Sequence, residues 1–192
     1  FFPQSPLLEA QFSGFNGSLS AQPELYFEWD NGDQNLLVVP FARVDQHDGG
    51  RTHFDIREFY WQKVWDQFEL SIGLRKIFWG VTETQHLVDI INQTDLVENL
   101  DGEDKLGQPM VNLSIIQDWG TVDVFVMPYF RKRSFLRDEA RLRFPFNVNE
   151  DNVSYESADE EKHIDWAARW FQTMGAFDIG LSHFSGTSRE PN

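Results

Sequence analysis

The sequence predicts an all-β chain folded as an antiparallel, up-and-down sheet, and three observations carry that expectation. Apolar and polar residues alternate with a period of two along most of the chain, while a helical period is confined to one connection. Pairs of alternating runs flank tight turns rich in Asn, Asp and Gly. The stretches between those pairs are long, so short turns and long loops take turns along the chain.

Taken in order, Leu25 to Trp29 and Leu36 to Val44 flank Asn31-Gly32-Asp33, and Phe54 to Val64 and Phe68 to Phe78 flank Trp65-Asp66. Val111 to Ile116 and Val122 to Arg131 flank Asp118-Trp119-Gly120, and Ile164 to Phe171 and Phe177 to Phe184 flank Thr173-Met174-Gly175. Each pair is a hairpin, which makes eight strands. The intervening connections are 46–52, 80–109 and 134–162. In a meander, alternate connections lie at the same end, so the tight turns share one rim and the long acidic loops share the other. That segregation is the form of a transmembrane β-barrel with short periplasmic turns and long extracellular loops.

The alternation also has a chemical side. Phe68, Leu70, Ile72 and Leu74 make one face apolar, while Glu69, Ser71, Gly73 and Arg75 make the other polar or small. Val122, Val124 and Val126 oppose Asp123, Phe125 and Met127, and Phe177, Ile179 and Leu181 oppose Asp178, Gly180 and Ser182. An apolar face points to a core in a soluble sheet and to lipid in a membrane barrel, so the period alone leaves both open. Charged residues at strand centres favour a hydrated interior. The expected lumen-lining set is Arg57, Lys63, Arg75, Arg131 and Arg169, set against Asp123, Asp165 and Asp178. Aromatic residues gather toward strand ends, as rings at a membrane interface do. The expected girdle is Trp29, Tyr60, Phe78, Trp79, Phe130, Trp166 and Trp170, with Ile77-Phe78-Trp79 marking where a strand leaves hydrocarbon and Gly80 releasing the chain into its loop.

With tight turns periplasmic, the strand before Asn31 descends and the strand ending near Phe184 ascends, so both ends of the run are extracellular. Complete barrels of this kind begin and end in the periplasm. Residues 1–192 are therefore expected to be one segment, the N-terminal portion of a larger barrel, incomplete at its C-terminus. Phe12 to Leu19 offers an extra ascending strand, with Ser20 to Glu24 as its loop. An open sheet would leave edges that lipid cannot satisfy.

Composition narrows the function. The formal net charge of −15 argues against a nucleic-acid partner, which demands clustered Lys and Arg. The chain has no cysteine, hence no disulfide scaffold and no thiolate metal site. No run of apolar residues is long enough for a membrane-crossing helix, which says nothing of barrels. His47, His53, His86, His163 and His183 are dispersed without metal-ligand spacing, and neither GxSxG nor a phosphate-cradling loop occurs.

Glu28 and Asp30 stand two apart at a strand end, a spacing that would pair carboxylates as in a glycosidase, but two solvated or lumen-lining acids near a turn is the favoured reading. "ENLDGEDK" (98–105) concentrates acids that would suit calcium but lacks EF-hand spacing, and "SADEEK" (157–162) is an acidic loop that facing outward would meet cations bridging lipopolysaccharide. No cofactor is expected. Residues 84–98 carry a weak helical pattern, either a constriction folded into the pore or a helix on the rim.

"DIREFYW" (55–61), "FELSIGLRKIFWG" (68–80) and "DIINQTDL" (89–96) together resemble the porin-type barrels of Gram-negative outer membranes, including the alginate-export-like group. In that group a strand ending in a Gly-Arg-Gln-like turn and Trp-Gly precedes an Asn/Asp-rich loop; here Gly73-Leu74-Arg75-Lys76 takes the turn's place. The resemblance implies an outer-membrane channel or exporter without identifying its solute; the expectation taken with it is non-enzymatic passive passage or export of small hydrophilic solutes, with lipid and lipopolysaccharide as partners and self-association compatible. Two alternatives stay open: a soluble β-sandwich or barrel that binds carbohydrate through exposed Trp and Tyr, and a β-sandwich glycosidase using Glu28.

Overall fold

The computed structural model describes residues 2–78, 90–99, 101–146, 148 and 153–190. Its strands are β1 (Ser18–Ala21), β2 (Leu25–Trp29), β3 (Gln34–Asp45), β4 (His53–Val64), β5 (Phe68–Arg75), β6 (Gln108–Gln117), β7 (Gly120–Met127), β8 (Asp165–Met174) and β9 (Phe177–Ser185). All belong to one sheet in which every pairing is antiparallel. From β3 to β9 each strand pairs with the next in sequence, an up-and-down order.

β1 and β2 both pair with β3, in one unbroken register: Ala21 faces Ala42 and Leu25 faces Val38. They are one edge strand interrupted over residues 22–24. Counting through the gap sets Pro23 opposite Pro40, and two prolines face to face have no N–H with which to continue the ladder. Residues 18–29 therefore run in a single direction. This overturns Phe12 to Leu19 as a separate ascending strand with a loop at Ser20 to Glu24.

The hairpins fall where the alternation puts them, with corrections at their ends. β5 stops at Arg75 rather than Phe78, and β7 stops at Met127 because Pro128 follows and cannot donate to β8. β8 runs on to Met174, leaving Gly175 (φ +64°) to turn the chain. Among the described residues the sheet is not closed: no pairing joins β9 to the β1–β2 edge.

Register makes the two faces explicit. Trp61, Ile72, Val111, Val126 and Trp166 lie side by side across five strands. Ile72, Val111, Val126 and Trp166 in that row are exposed, as are Phe54, Phe59 and Leu181 elsewhere on this apolar face. One residue along, Gln62, Ser71, Asn112, Phe125 and Ala167 form a row on the opposite, polar face, of which Ser71 through Ala167 are buried. The arrangement inverts that of a water-soluble half-buried sheet, in which the apolar side is the covered one.

What covers the polar face is the long-loop end of the chain. The core cluster of Ile91, Met110, Phe125, Met127 and Ala167, with Ile77 and Phe184 against it, sits between the sheet and the segment from residue 90 onward. No α-helix occurs among the described residues, and 90–98 is a chain of bends and turns bridged by Thr94 to Lys105 and by Asp95 to Ser134. The described part of the weakly helical stretch is thus irregular backbone lying on the sheet; residues 84–89 lie outside the described residues. Met127 is fully buried in this cluster. Met127→Ala is expected to cost about 2–5 kcal/mol through lost contacts and the cavity left behind, read as a lowered midpoint in thermal or denaturant unfolding.

Candidate functional site: a polar sheet face latched beneath a loop

The covered half of the polar face is organised around Arg57. In the β3–β4 ladder Val39 faces Glu58 and Pro40 faces Ile56, so Arg57 is an extra residue in a β-bulge. Arg57 is 4 % exposed. Its Nη1 donates to Asp95 Oδ2 at 2.6 Å and to Asp55 Oδ2 at 3.1 Å, and its guanidinium sits 4.3 Å from the Phe41 ring centroid. Arg131 Nη2 donates to the other Asp55 oxygen at 2.6 Å, extending the network to the segment after β7.

Asp95 Oδ1 accepts from the N–H groups of Val97 and Glu98, so the carboxylate that neutralises Arg57 also shapes the turn. Asn92 pins the same segment to the end of β5: its Nδ2 donates to the carbonyls of Arg75 and Leu106 at 2.7 and 2.9 Å, and its Oδ1 accepts from Ile77 N–H at 2.8 Å. Glu98 accepts from Arg43 Nε at 2.8 Å and lies 3.6 Å from His53 Nε2. Gly107 passes so close that a Cβ there would stand 2.3 Å from the Arg57 carbonyl oxygen. Only glycine lets the chain leave the latch and enter β6 along this path.

A second buried cluster secures the far side. Arg189 Nη1 donates to Asp165 Oδ2 at 2.6 Å and Nε to the Ile91 carbonyl at 3.0 Å, with the guanidinium 5.1 Å from each of the Phe130 and Phe184 rings. Burial pushes the Arg189 pKa down, countered by its hydrogen bond to Asp165. His163 Nδ1 is 2.8 Å from the other Asp165 oxygen. Between β4, residues 95–106 and residues 131–137 lies a cavity of about 230 Å³ whose lining includes Asp55, Arg57, Asp95, Arg131, Ser134 and Arg137.

The expected interior residues distribute as follows. Arg57, Arg75, Asp123, Asp165, Arg169 and Asp178 stand on the polar face, and Arg131 reaches it from the loop through Asp55. Arg75 Nη1 donates to Asn112 Oδ1 at 2.8 Å, across the Tyr60 ring. Lys63 falls instead on the apolar face, paired in register with Leu70, its ammonium 5.2 Å from the Trp65 ring. The Arg57 bulge is the reason: it shifts the alternation by one, so Arg57 and Lys63, an even number of residues apart, face opposite ways.

The same shift explains Tyr60, which faces Leu37 and Gly73 on the polar side rather than joining a girdle. Phe130 is likewise not at the surface; it is 6 % exposed against Arg189 and Tyr155. Trp29, Trp166 and Trp170 do stand on the apolar face and Phe78 is exposed beyond β5, while Trp79 lies outside the described residues.

Other candidates separate. Alternation ends at Trp29, and Asp30 turns away at φ +58°, its carboxylate held by Gln34 Nε2 at 2.9 Å while Glu28 accepts from Tyr26 at 3.2 Å. In 98–105, Glu98 is taken by Arg43, Asp101 accepts from Glu103 N–H at 3.0 Å and Asp104 accepts from Asn99. Among the described residues no group of three or more His, Asp or Glu is placed to hold a metal. His47 stacks on Phe12, His183 lies by Trp166, and His86 is outside the described residues.

Sequence reasoning gave no role to Asn92, Asp95 or Arg189, and met Glu98 only as one acid of the 98–105 run. Asn92 and Asp95 lie within "DIINQTDL", whose polar residues set among apolar ones were the available signal. No family model, no curated protein and no solved structure matches the chain. The class that fold and site define is an open antiparallel meander whose charged face is latched beneath its own loops.

Two outcomes are expected. Asp95→Asn leaves the buried Arg57 charge without its nearest counter-ion and should cost about 3–5 kcal/mol, with hydrogen exchange at residues 91–98 rising first. Glu161, which bonds Lys132 at 2.8 Å, Tyr129 at 2.9 Å and Tyr155 at 3.0 Å, has its pKa held below the usual glutamate value by those bonds. Its contribution is present above the ordinary value of 4.5 and lost as pH falls through the lowered folded one. The Tyr155 ring resonances should shift in that acid window, and Glu161→Gln should abolish the step.

Proposed function

We propose that residues 1–192 are part of an outer-membrane β-barrel of the porin type, whose polar face borders a water-filled path for small hydrophilic solutes. The observation that carries this reading is the inverted polarity of the sheet. Ile72, Val126 and Trp166 share an exposed row, while Arg57, Asp95 and Asp165 are buried on the other side. In water that exposed face would be an association surface of a size rarely left bare; in lipid it is the expected exterior, with Trp29, Trp166 and Trp170 as interfacial rings. The aqueous side then holds charges that are paired rather than stranded.

The proposal requires the edges to be covered. β9 and the β1–β2 edge each present unpaired N–H and C=O groups, which hydrocarbon cannot satisfy, so further strands or a second copy of the chain must pair with them. Residues 90–98, folded onto the polar face, would narrow the path at the long-loop end. The reading needs no catalytic group and no cofactor. A soluble carbohydrate-binding sandwich would need a second sheet over the apolar face, and among the described residues all nine strands belong to one sheet.

The whole protein should fractionate with outer membranes, require detergent for extraction and migrate on a gel as a heat-modifiable species. Ile72→Arg separates the readings further. If the face meets lipid the substitution should cost about 2–4 kcal/mol near the midplane; if it meets water, a change at this exposed site should stay within about 0.5 kcal/mol. Solubility without detergent, together with a neutral Ile72→Arg, would sink the membrane reading.

A further inference from the structure

The two halves of the polar face differ in how their charges are compensated. Near the long loops the arginines are tied to carboxylates: Arg43 to Glu98, Arg57 to Asp95, Arg131 to Asp55 and Arg189 to Asp165, each with an ion-pair contact of 2.5–2.6 Å. Near the short turns the carboxylates are held by neutral donors. Glu69 accepts from Gln62 at 3.1 Å, Asp123 from Ser114 at 2.6 Å and Asp178 from Thr173 at 2.6 Å. Among the described residues none of these three has a salt bridge, and Arg169, directly across from Asp123, lies over the Phe171 ring instead.

The rim beyond has the same sign. Its four turns contain Asp30, Asp33, Asp66 and Asp118 and no Lys or Arg. Hydrogen bonds from hydroxyls and amides stabilise a carboxylate without cancelling its charge. The short-turn half therefore keeps a net negative field, which a wall backed by low-dielectric medium concentrates rather than disperses.

Resting on the proposed pore, we infer that the path is cation-selective, and that the selection is made in the short-turn half by Glu69, Asp123 and Asp178. Small hydrophilic cations are favoured over anions there because the carboxylates outnumber Arg169, the guanidinium that shares that half of the face. The latched half, with its charges internally paired, contributes width and little sign. Since the field acts through water, screening should weaken it once the Debye length falls from about 10 Å at 0.1 M salt to about 3 Å at 1 M.

The test is the reversal potential of the whole protein in planar bilayers under a KCl gradient. K⁺ should permeate more readily than Cl⁻ at low salt, and the preference should shrink at high salt. A Glu69→Gln, Asp123→Asn, Asp178→Asn variant that retains heat-modifiable migration should show a permeability ratio close to unity with its conductance kept. Channels without cation preference, or a variant with undiminished preference, would overturn this inference and leave the pore standing. Absence of any conductance from correctly folded protein would overturn both.

Discussion

The Arg57 guanidinium has to be neutralised where the bulge puts it, and much of the covered face follows from that requirement. An unpaired cation at 4 % exposure would cost several kcal/mol, so a carboxylate must be brought to it. Asp55 comes from the same strand, while Asp95 comes from a segment far along the chain. Bringing Asp95 in brings Asn92 and Glu98 with it, and these close on the β5 end and on Arg43. Ile91 lies in the same segment and packs with Met127 and Ala167, so the polar latch and the apolar cluster seat the loop together. Such pairs add little net stability compared with apolar replacements, whereas removing one partner alone strands a buried charge.

The hairpin plan was legible because alternation and turn chemistry are local. "NG" at 31–32 and glycines at 120 and 175 mark reversals that the backbone needs whatever lies beyond them. The division into apolar and polar faces was equally plain in β5 and β7, whose pairings run without interruption. It failed in β4, where one extra residue reverses parity between Arg57 and Glu58; a bulge is set by register against the neighbouring strand, which alternation within β4 does not carry. Lys63 and Tyr60 went to the wrong faces for that single reason. Phe130 was misplaced for another, since Pro128 ends its strand and leaves the ring free to turn inward over Arg189.

The latch itself was hardly visible because its partners are far apart in sequence: Arg57 and Asp95 are 38 residues apart, Arg43 and Glu98 are 55. Composition signals that a long acidic loop exists but not which of its acids will be buried. Asp101 in the same loop is exposed and bonds only locally, whereas Asp95 is 1 % exposed. The difference lies in the flanking residues. Ile91, Leu96 and Val97 carry Asp95 into the sheet, and Gly102 with its acidic neighbours stays in water.

The edges place a further constraint on any complete assembly. On one side the ladder between Pro23 and Pro40 is already broken, so the β1–β2 edge is a strand in two pieces, and β9 on the other is continuous from Phe177 to Ser185. A partner strand can register along the whole of β9, where unpaired groups are regular and Gly180 offers no side chain to obstruct it. At the interrupted edge a partner can pair with Ser18–Ala21 and with Leu25–Trp29, on either side of the irregular residues 22–24.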